Sequence, residues 1–221
     1  MVIPALNAGD RLAPVLASVA RGRPVFDLDL VLSDGGSVDG TVALASAAGA
    51  RIVVGAPGRG PQLRRGADAA VGDWLLFLHA DTVMEAGWAN VAAGFMASAG
   101  NVHRAAHGRL MLDDAAPPAR RVERLANWRA RLGLPYGDQG LLISRALYDE
   151  VGGFRPLVLM EDVDIVRRIG RKRLNALPVA MTTSAARYQR GGYLKRPLRN
   201  LTCLSLYFVG VPPHVIARLY E

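Results

Sequence analysis

Cysteine is almost missing from this sequence. Cys203 stands alone, which excludes a disulfide framework or a cysteine-built zinc site within one chain and fits a reducing compartment. Long apolar runs are missing too: no window of roughly 18 residues is uninterrupted by polar ones, so no membrane-spanning helix is expected. The opening Met1-Val2-Ile3-Pro4 has no basic stretch followed by an apolar one. No signal peptide is expected from it, and a cytoplasmic place is. Aromatic residues make up only 6%, and no helix-turn-helix, zinc-finger or RNA-recognition pattern is visible, which argues against nucleic acid as a partner. Gly58-Arg59-Gly60 lacks a third glycine at dinucleotide-binding spacing, so an oxidoreductase finds no support.

Positive charge, by contrast, is abundant. The formal net charge is +8, and arginine supplies nearly all of it. Such a balance suits nucleic acid, or phosphorylated ligands handled at an anionic membrane surface. The planar guanidinium fork matches phosphate, and the scarcity of aromatics favours the second choice. With 221 residues, 51% of them hydrophobic, one sizeable core and one α/β domain are expected.

Strand and helix patterns alternate along the first half. Val2-Ile3-Pro4, Leu28–Leu32, Arg51–Val54 and Trp74–His79 read as strands, the last apolar on both faces like a buried parallel strand. Between them lie a helix to about Arg21 with Asp10 as N-cap, an alanine-rich helix over 40–48, and a loop and helix over 58–71. Alternation of this kind predicts βαβ units in a doubly wound sheet, with ligands outside the carboxyl ends of the strands. The second half is less regular. Helices are expected over 84–99, 119–132, 147–151, 162–171, 197–210 and 213–220, and strands over 107–112 and 141–143.

Carboxylates recur at the expected ligand edge. Ser33-Asp34-Gly35-Gly36 follows the second strand, His79-Ala80-Asp81-Thr82 follows the fourth, and Glu161-Asp162-Val163-Asp164 opens a helix. Asp34 can accept hydrogen bonds from a base or ribose, and Gly35 and Gly36 allow close backbone approach; Asp-Gly-Gly is equally plain turn chemistry. Asp39 with Thr41 suits a helix cap. Asp81 is a candidate ligand for Mg²⁺ or Mn²⁺ bridging a diphosphate. His79 is either a further ligand or a strand-end histidine bonded to backbone. Arg59 lies by a helix start, a favourable place for phosphate; Arg64 and Arg65 point about 100° apart, so one of them is solvated. Gln62 suits a ribose or base contact. Asp164 is expected to face solvent.

These pieces carry a family resemblance. Ile3-Pro4-Ala5-Leu6-Asn7, Ser33 to Thr41, Arg59 to Gly66, His79 to Thr82, Gly137-Asp138-Gln139, Gly152-Gly153-Phe154 and Glu161-Asp162 resemble, in that order, glycosyltransferase family 2. More narrowly, Tyr136 to Gly140, Leu159 to Asp164 and Tyr207 to Val211 resemble the radical-SAM/selenodomain-associated transferase 2 subgroup. The resemblance implies a GT-A fold, Rossmann-like in its first half, with a mostly parallel sheet and a helical C-terminal segment. It implies inverting transfer from a nucleotide-diphosphate sugar, with Asp162 as base and Glu161 orienting it. Pro4, Asn7, Asp34, Gly35, Gly36, Arg59, Gln62 and Asp81 would hold the nucleotide, Asp81 the metal, and Asp138 and Gln139 would shape the acceptor or sugar pocket. The sequence departs from the family pattern at Ala8, where glutamate is common, at Arg65-Gly66, where Asn-Gly is common, and at His79, which replaces the first aspartate of the metal motif.

One domain over 1–221 is expected: a nucleotide half over 1–82, an acceptor half over 83–192, and C-terminal helices over 193–221. Basic and apolar residues mix over Tyr193 to Val211, which suits a membrane interface near a lipid-linked acceptor, a helix packed on the core, or a dimer contact. Two rival functions remain, a nucleotidyltransferase of similar fold and a non-catalytic membrane-surface module. The first would carry a basic loop after strand one, and Pro4 to Gly9 holds no basic residue. The second leaves the three acidic sites without a role.

Overall fold

The computed structural model describes residues 1–220. Its strands are β1 (Val2–Ala5), β2 (Val31–Asp34), β3 (Arg51–Val54), β4 (Trp74–Phe77), β5 (Thr82–Met84), β6 (Ala105–Leu112), β7 (Leu141–Ser144) and β8 (Leu174–Thr183). They form one mostly parallel eight-stranded sheet in the order β3-β2-β1-β4-β7-β6-β8-β5. The first four strands are parallel neighbours. β7 runs against β4 and β6 against β7, while β8 is parallel to β6 and β5 closes the edge antiparallel to β8. This alternation has one consequence for function. The carboxyl ends of β1, β2, β4, β6 and β8 and the amino ends of β5 and β7 all meet at one edge, so the turns around 35, 79–81, 137–140 and 184 gather there.

The helices are α1 (Leu12–Ala20), α2 (Thr41–Ala47), α3 (Arg59–Ala69), α4 (Trp88–Met96), α5 (Pro117–Arg131), α6 (Arg145–Glu150), α7 (Glu161–Ile169), α8 (Ala186–Gly191), α9 (Lys195–Phe208) and α10 (Pro213–Tyr220). Leu12, Val15 and Val19 of α1 with Trp88 and Ala92 of α4 bury one sheet face. Leu63 and Ala67 of α3, Leu147 of α6 and Ile165 and Ile169 of α7 bury the other. Each fully buried aliphatic side chain contributes about 1.5–3 kcal/mol. Helix α3 lies close on β1 because Gly66 has no side chain: a Cβ there would meet Val2 Cγ1 at 2.3 Å.

Helix α7 follows from its sequence. Val163, Ile165, Val166 and Ile169 form the buried face, Glu161, Asp162 and Asp164 occupy the first turn and Arg167 and Arg168 the last, the charge order that complements the helix dipole. Met160 precedes it at φ +66°, a left-handed conformation that costs a non-glycine residue roughly 1 kcal/mol. It turns the chain sharply so that Glu161 and Asp162 meet the sheet edge. Leu159, Met160 and Val163 also pack on Cys203 and Leu204 of α9 and Ile216 of α10, which places the C-terminal helices over this corner.

Several expectations need correction. Asp10 caps no helix: Gly9–Arg11 is a 3-10 turn with no side-chain cap bond. The stretch read as a helix from Met84 begins as strand, with Met84 opposite Met181, and α4 starts only after Gly87. Strand β8, ten residues long, is absent from the sequence reading because Pro178 interrupts it. Proline is tolerated there at a register shift, where Gly108 lies between the paired positions of β6. Asp164 does not face solvent. Its side chain is 6% exposed and pairs with Arg155 and Arg168, and it accepts a hydrogen bond from Tyr207 Oη at 3.4 Å, tying α7 to α9.

Candidate active site

Two adjoining cavities open at the shared edge. An outer one of about 240 Å³ is lined by Pro4, Leu6, Arg11, Gln62 and Ala80 among others. An inner one of about 120 Å³ is lined by Tyr136, Asp138, Asp162, Thr183 and Tyr188 among others. Arg59, His79, Asp81 and Arg187 line both.

The second-strand turn stands beside these cavities and lines neither. Asp34 is 2% exposed and accepts the Gly36 and Ser37 N–H groups at 2.9 Å and the Ser37 hydroxyl at 2.6 Å. A carboxylate accepts about four hydrogen bonds, so one acceptor position is left over. Asn7, also left-handed at φ +49°, accepts the Val38 N–H at 3.0 Å and locks β1 to this turn. Asp39 accepts the Thr41 N–H at 3.0 Å and closes the turn before α2, whose N-cap, Gly40, has no side-chain cap bond. Gly35 is held tight, since a Cβ would meet both Gln62 Nε2 and Pro57 Cα at 3.2 Å. The sequence points to Gln62 as a ligand contact, but its amide ties the strand ends together: Nε2 donates to Ala5 O at 2.7 Å and Ser33 O at 2.9 Å, and Oε1 accepts from Gly58 at 3.1 Å. Only a carbonyl lone pair remains for anything else. Arg64 is solvated beside Asp68, while Arg65 donates to Asp34 O at 2.9 Å.

Asp162 lines the inner cavity. Its Oδ2 accepts the Gly137 N–H at 3.0 Å and its Oδ1 the Val163 N–H at 2.8 Å, which fixes the carboxylate with lone pairs to spare. Glu161 lies behind it, 1% exposed. Arg59 Nε is 2.7 Å from Glu161 Oε1, yet burial dominates and pushes the Glu161 carboxyl up to about 7. Asp138 is pushed up to about 6, also by burial, and its Oδ1 has no hydrogen-bond partner. Gln139 is fully buried. Its Nε2 donates to Gly108 O at 3.1 Å and Asn127 Oδ1 at 3.4 Å, so it braces the turn from below and lines neither cavity.

His79 is held neutral: burial, then the Arg59 charge, lower its pKa to about 4. A neutral imidazole beside Asp81 is able to ligate a cation. Among the described residues no three His, Cys, Asp or Glu side chains form a ready cage. Mg²⁺ and Mn²⁺ need none, because such hard ions take one or two protein oxygens and complete their shell with water and phosphate. Asp81, with neutral His79 beside it, therefore fits a cation that arrives with a diphosphate.

The profile of the family described as Glycosyl transferase family 2 matches residues 1–141. The chain belongs to this family. A PGL/p-HBAD biosynthesis glycosyltransferase from Mycobacterium bovis is 40% identical over 88 residues, 37% of this chain and 34% of that protein, so the matched segment spans about a third of that relative. The fold is that of GT-A glycosyltransferases. Glucosyl-3-phosphoglycerate synthase from Mycobacterium tuberculosis, solved with Mn²⁺, UDP and glucosyl-3-phosphoglycerate, superposes at TM-score 0.60 with 21% identity over 96% of this chain and 79% of that one. The same enzyme with Mg²⁺ and UDP superposes at TM-score 0.59, with 23% identity over 83% of this chain and 68% of that one.

The family 2 chain also brings to the site residues that the sequence reading passes over. Arg187 follows β8 and lines both cavities; finding β8 would have exposed it. Arg129, stacked 3.1 Å from the Tyr136 ring centroid, and Asn200 and Tyr220 of the C-terminal helices line the inner cavity. No local signal marks them, because α5, α9 and α10 reach the site only by packing.

Proposed function

We propose that this family 2 protein transfers a sugar from a nucleoside-diphosphate donor to an acceptor hydroxyl with inversion, aided by Mg²⁺ or Mn²⁺. The observation that carries this reading is that Asp81, at the end of β4, and Asp162, at the start of α7, line one cavity together with Arg59 and Arg187. A donor held at Asp81 and a base at Asp162 would then share one small space. Residues 1–82 hold the donor, 83–192 supply the base and acceptor pocket, and 193–221 cover them. Pro4, Asn7 and Gly36 shape the nucleoside side, Asp34 offers its remaining acceptor position to a base or ribose, and Arg59 and Arg187 bind the diphosphate. A divalent ion held by Asp81 with His79 would supply charge neutralisation for the departing diphosphate. Asp162 takes the acceptor proton as the hydroxyl attacks the anomeric carbon. Glu161 sets the position of Arg59 and of the first turn of α7, and Asp138 hydrogen-bonds the sugar or acceptor.

The narrower kinship with radical-SAM/selenodomain-associated transferase 2 rests on Tyr136 to Gly140, Leu159 to Asp164 and Tyr207 to Val211, the first two of which border the inner cavity. A lipid-linked acceptor is supported by exposed Leu194, Leu198 and Leu201 among Lys195, Arg196 and Arg199, which suits peripheral contact with an anionic membrane. The test is a thermal-shift screen of nucleoside diphosphates and nucleotide sugars with and without Mn²⁺, followed by proton NMR of the product anomer. A ligand at 100 times its Kd adds about 2.7 kcal/mol to stability. Retention of anomeric configuration would overturn inversion, and no shift with any nucleotide would overturn the donor assignment.

A further inference from the structure

An open groove of about 760 Å³ beneath α8, α9 and α10 borders both cavities, meeting the outer one at Leu6, Arg59, Gln62 and Arg187 and the inner one also at Leu159, Arg196 and Tyr220. Arg59, Arg187, Arg196 and Tyr220 line both the groove and the inner cavity, and Arg190 and Arg199 line the groove alone. Among the described residues no aspartate or glutamate lines it, and Arg187, Arg190, Arg196 and Arg199 make no ion pair. The Nε of Arg199 is buried with no hydrogen-bond partner. Arg196 and Arg199 are held against the Tyr220 ring, 5.9 Å and 5.0 Å from its centroid, which orders the guanidinium groups without neutralising them.

Clustered like charges repel, and a partnerless guanidinium Nε out of water is costly. Such an arrangement suits an anion that supplies the missing acceptors, and a phosphate does so with bidentate geometry. Position decides which ligand carries it. The donor diphosphate has Arg59, Arg187 and Asp81 where the two cavities meet. A molecule that places a hydroxyl at Asp162 and extends outward passes Arg196 and reaches Arg190 and Arg199. We propose that the acceptor is a phosphate-bearing molecule and that Arg196 and Arg199, with Arg190 at the rim, hold its phosphate. This rests on the assignment of Asp162 as the acceptor side of the site.

The test uses the full chain and two probes: inorganic phosphate at constant ionic strength, and vesicles of phosphatidylcholine with and without phosphatidate. Phosphate is titrated by calorimetry into the protein alone and into protein saturated with UDP and Mg²⁺. It should bind in both cases, and R196Q/R199Q should weaken it at least 10-fold while leaving the UDP thermal shift unchanged. Circular dichroism checks that the variant folds. If it does not, R190Q is read in its place, and R196K/R199K, which keeps the charge but not the bidentate fork, should weaken binding less than R196Q/R199Q does. Arg121→Gln, on the exposed side of α5, removes one charge elsewhere and should change nothing. Binding of free phosphate points to a soluble phosphorylated acceptor. Phosphatidate-dependent sedimentation with no free-phosphate binding, lost in the same variants, points to a lipid phosphate. Wild-type protein that binds neither probe, or variants that bind as well as wild type, would overturn the proposal. Failure of UDP alone, with Arg196- and Arg199-dependent phosphate binding intact, counts against the donor assignment and leaves the anion subsite standing.

Discussion

Arg59 opens α3 and Glu161 opens α7, and their side chains meet with Nε 2.7 Å from Oε1. The pair joins a helix of the nucleotide half to the helix that carries Asp162. Glu161 is 1% exposed while the Arg59 side chain is 34% exposed, so the acid bears the greater desolvation. Its folded pKa of about 7 lies above the ordinary 4.5.

The pH dependence of stability follows from that difference. Between pH 4.5 and 7 the folded protein keeps the Glu161 proton while the unfolded chain has released it, so this group's contribution is fully present below 4.5 and is lost as pH rises to 7. The loss is on the order of 3 kcal/mol, at 1.36 kcal/mol per unit. Urea unfolding at pH 5 and pH 8 should show Glu161→Gln gaining stability relative to wild type at the higher pH. Arg59→Ala should destabilise more at pH 8 than at pH 5, because the Glu161 carboxyl is protonated at pH 5 and can be left charged and unpaired only at the higher pH.

Asp162→Asn should lower turnover by ~10²–10⁴-fold, the usual cost of losing a positioned base. Asparagine retains one carbonyl oxygen, so the contacts to Gly137 and Val163 are only partly lost and donor binding should stay within a few-fold. Glu161→Gln should reduce turnover less. Steady-state kinetics on both variants separates the roles: full activity in Asp162→Asn removes it from the mechanism, and a larger loss in Glu161→Gln exchanges the two.

Asp81→Ala should abolish the metal dependence of nucleoside-diphosphate binding. Hard cations favour carboxylate oxygen, and neutral His79 alone is a poor substitute. Calorimetry with and without Mn²⁺ is decisive here, because an unchanged metal effect would mean that the cation sits elsewhere.

Gly137→Ala tests whether the 137–139 turn sets the inner cavity. A Cβ at 137 would lie 2.4 Å from His79 Nε2 and 2.9 Å from its Cε1, so the imidazole or the turn must shift. Overpacking of this kind costs about 1–3 kcal/mol. The turn also carries the N–H that holds Asp162, so turnover should fall together with Tm. A variant with wild-type stability and rate would show that His79 and the turn move freely.

The sequence alone determined the first half of the sheet. β1 to β4 are short apolar runs bounded by turn residues, so local pattern was sufficient to find them, and the handedness and topology rules of βαβ units bring Asp34 and Asp81 to one edge. Tertiary structure decided what these residues do there. Asp34 closes its own turn, Gln62 and Gln139 brace backbone carbonyls, and Asp164 is buried because Arg155 and Tyr207 come to it from separate segments while Arg168 reaches it from the next turn of α7. Only Arg168 is near in sequence, and a carboxylate in a first helical turn reads the same whether it faces water or arginine. The same holds for β8, where Pro178 masks a strand that pairing with β6 and β5 makes stable, and for Arg196 and Arg199, which read as part of a basic tail until Leu204 and Ile216 pack on Met160 and Val163 and bring that tail over the inner cavity.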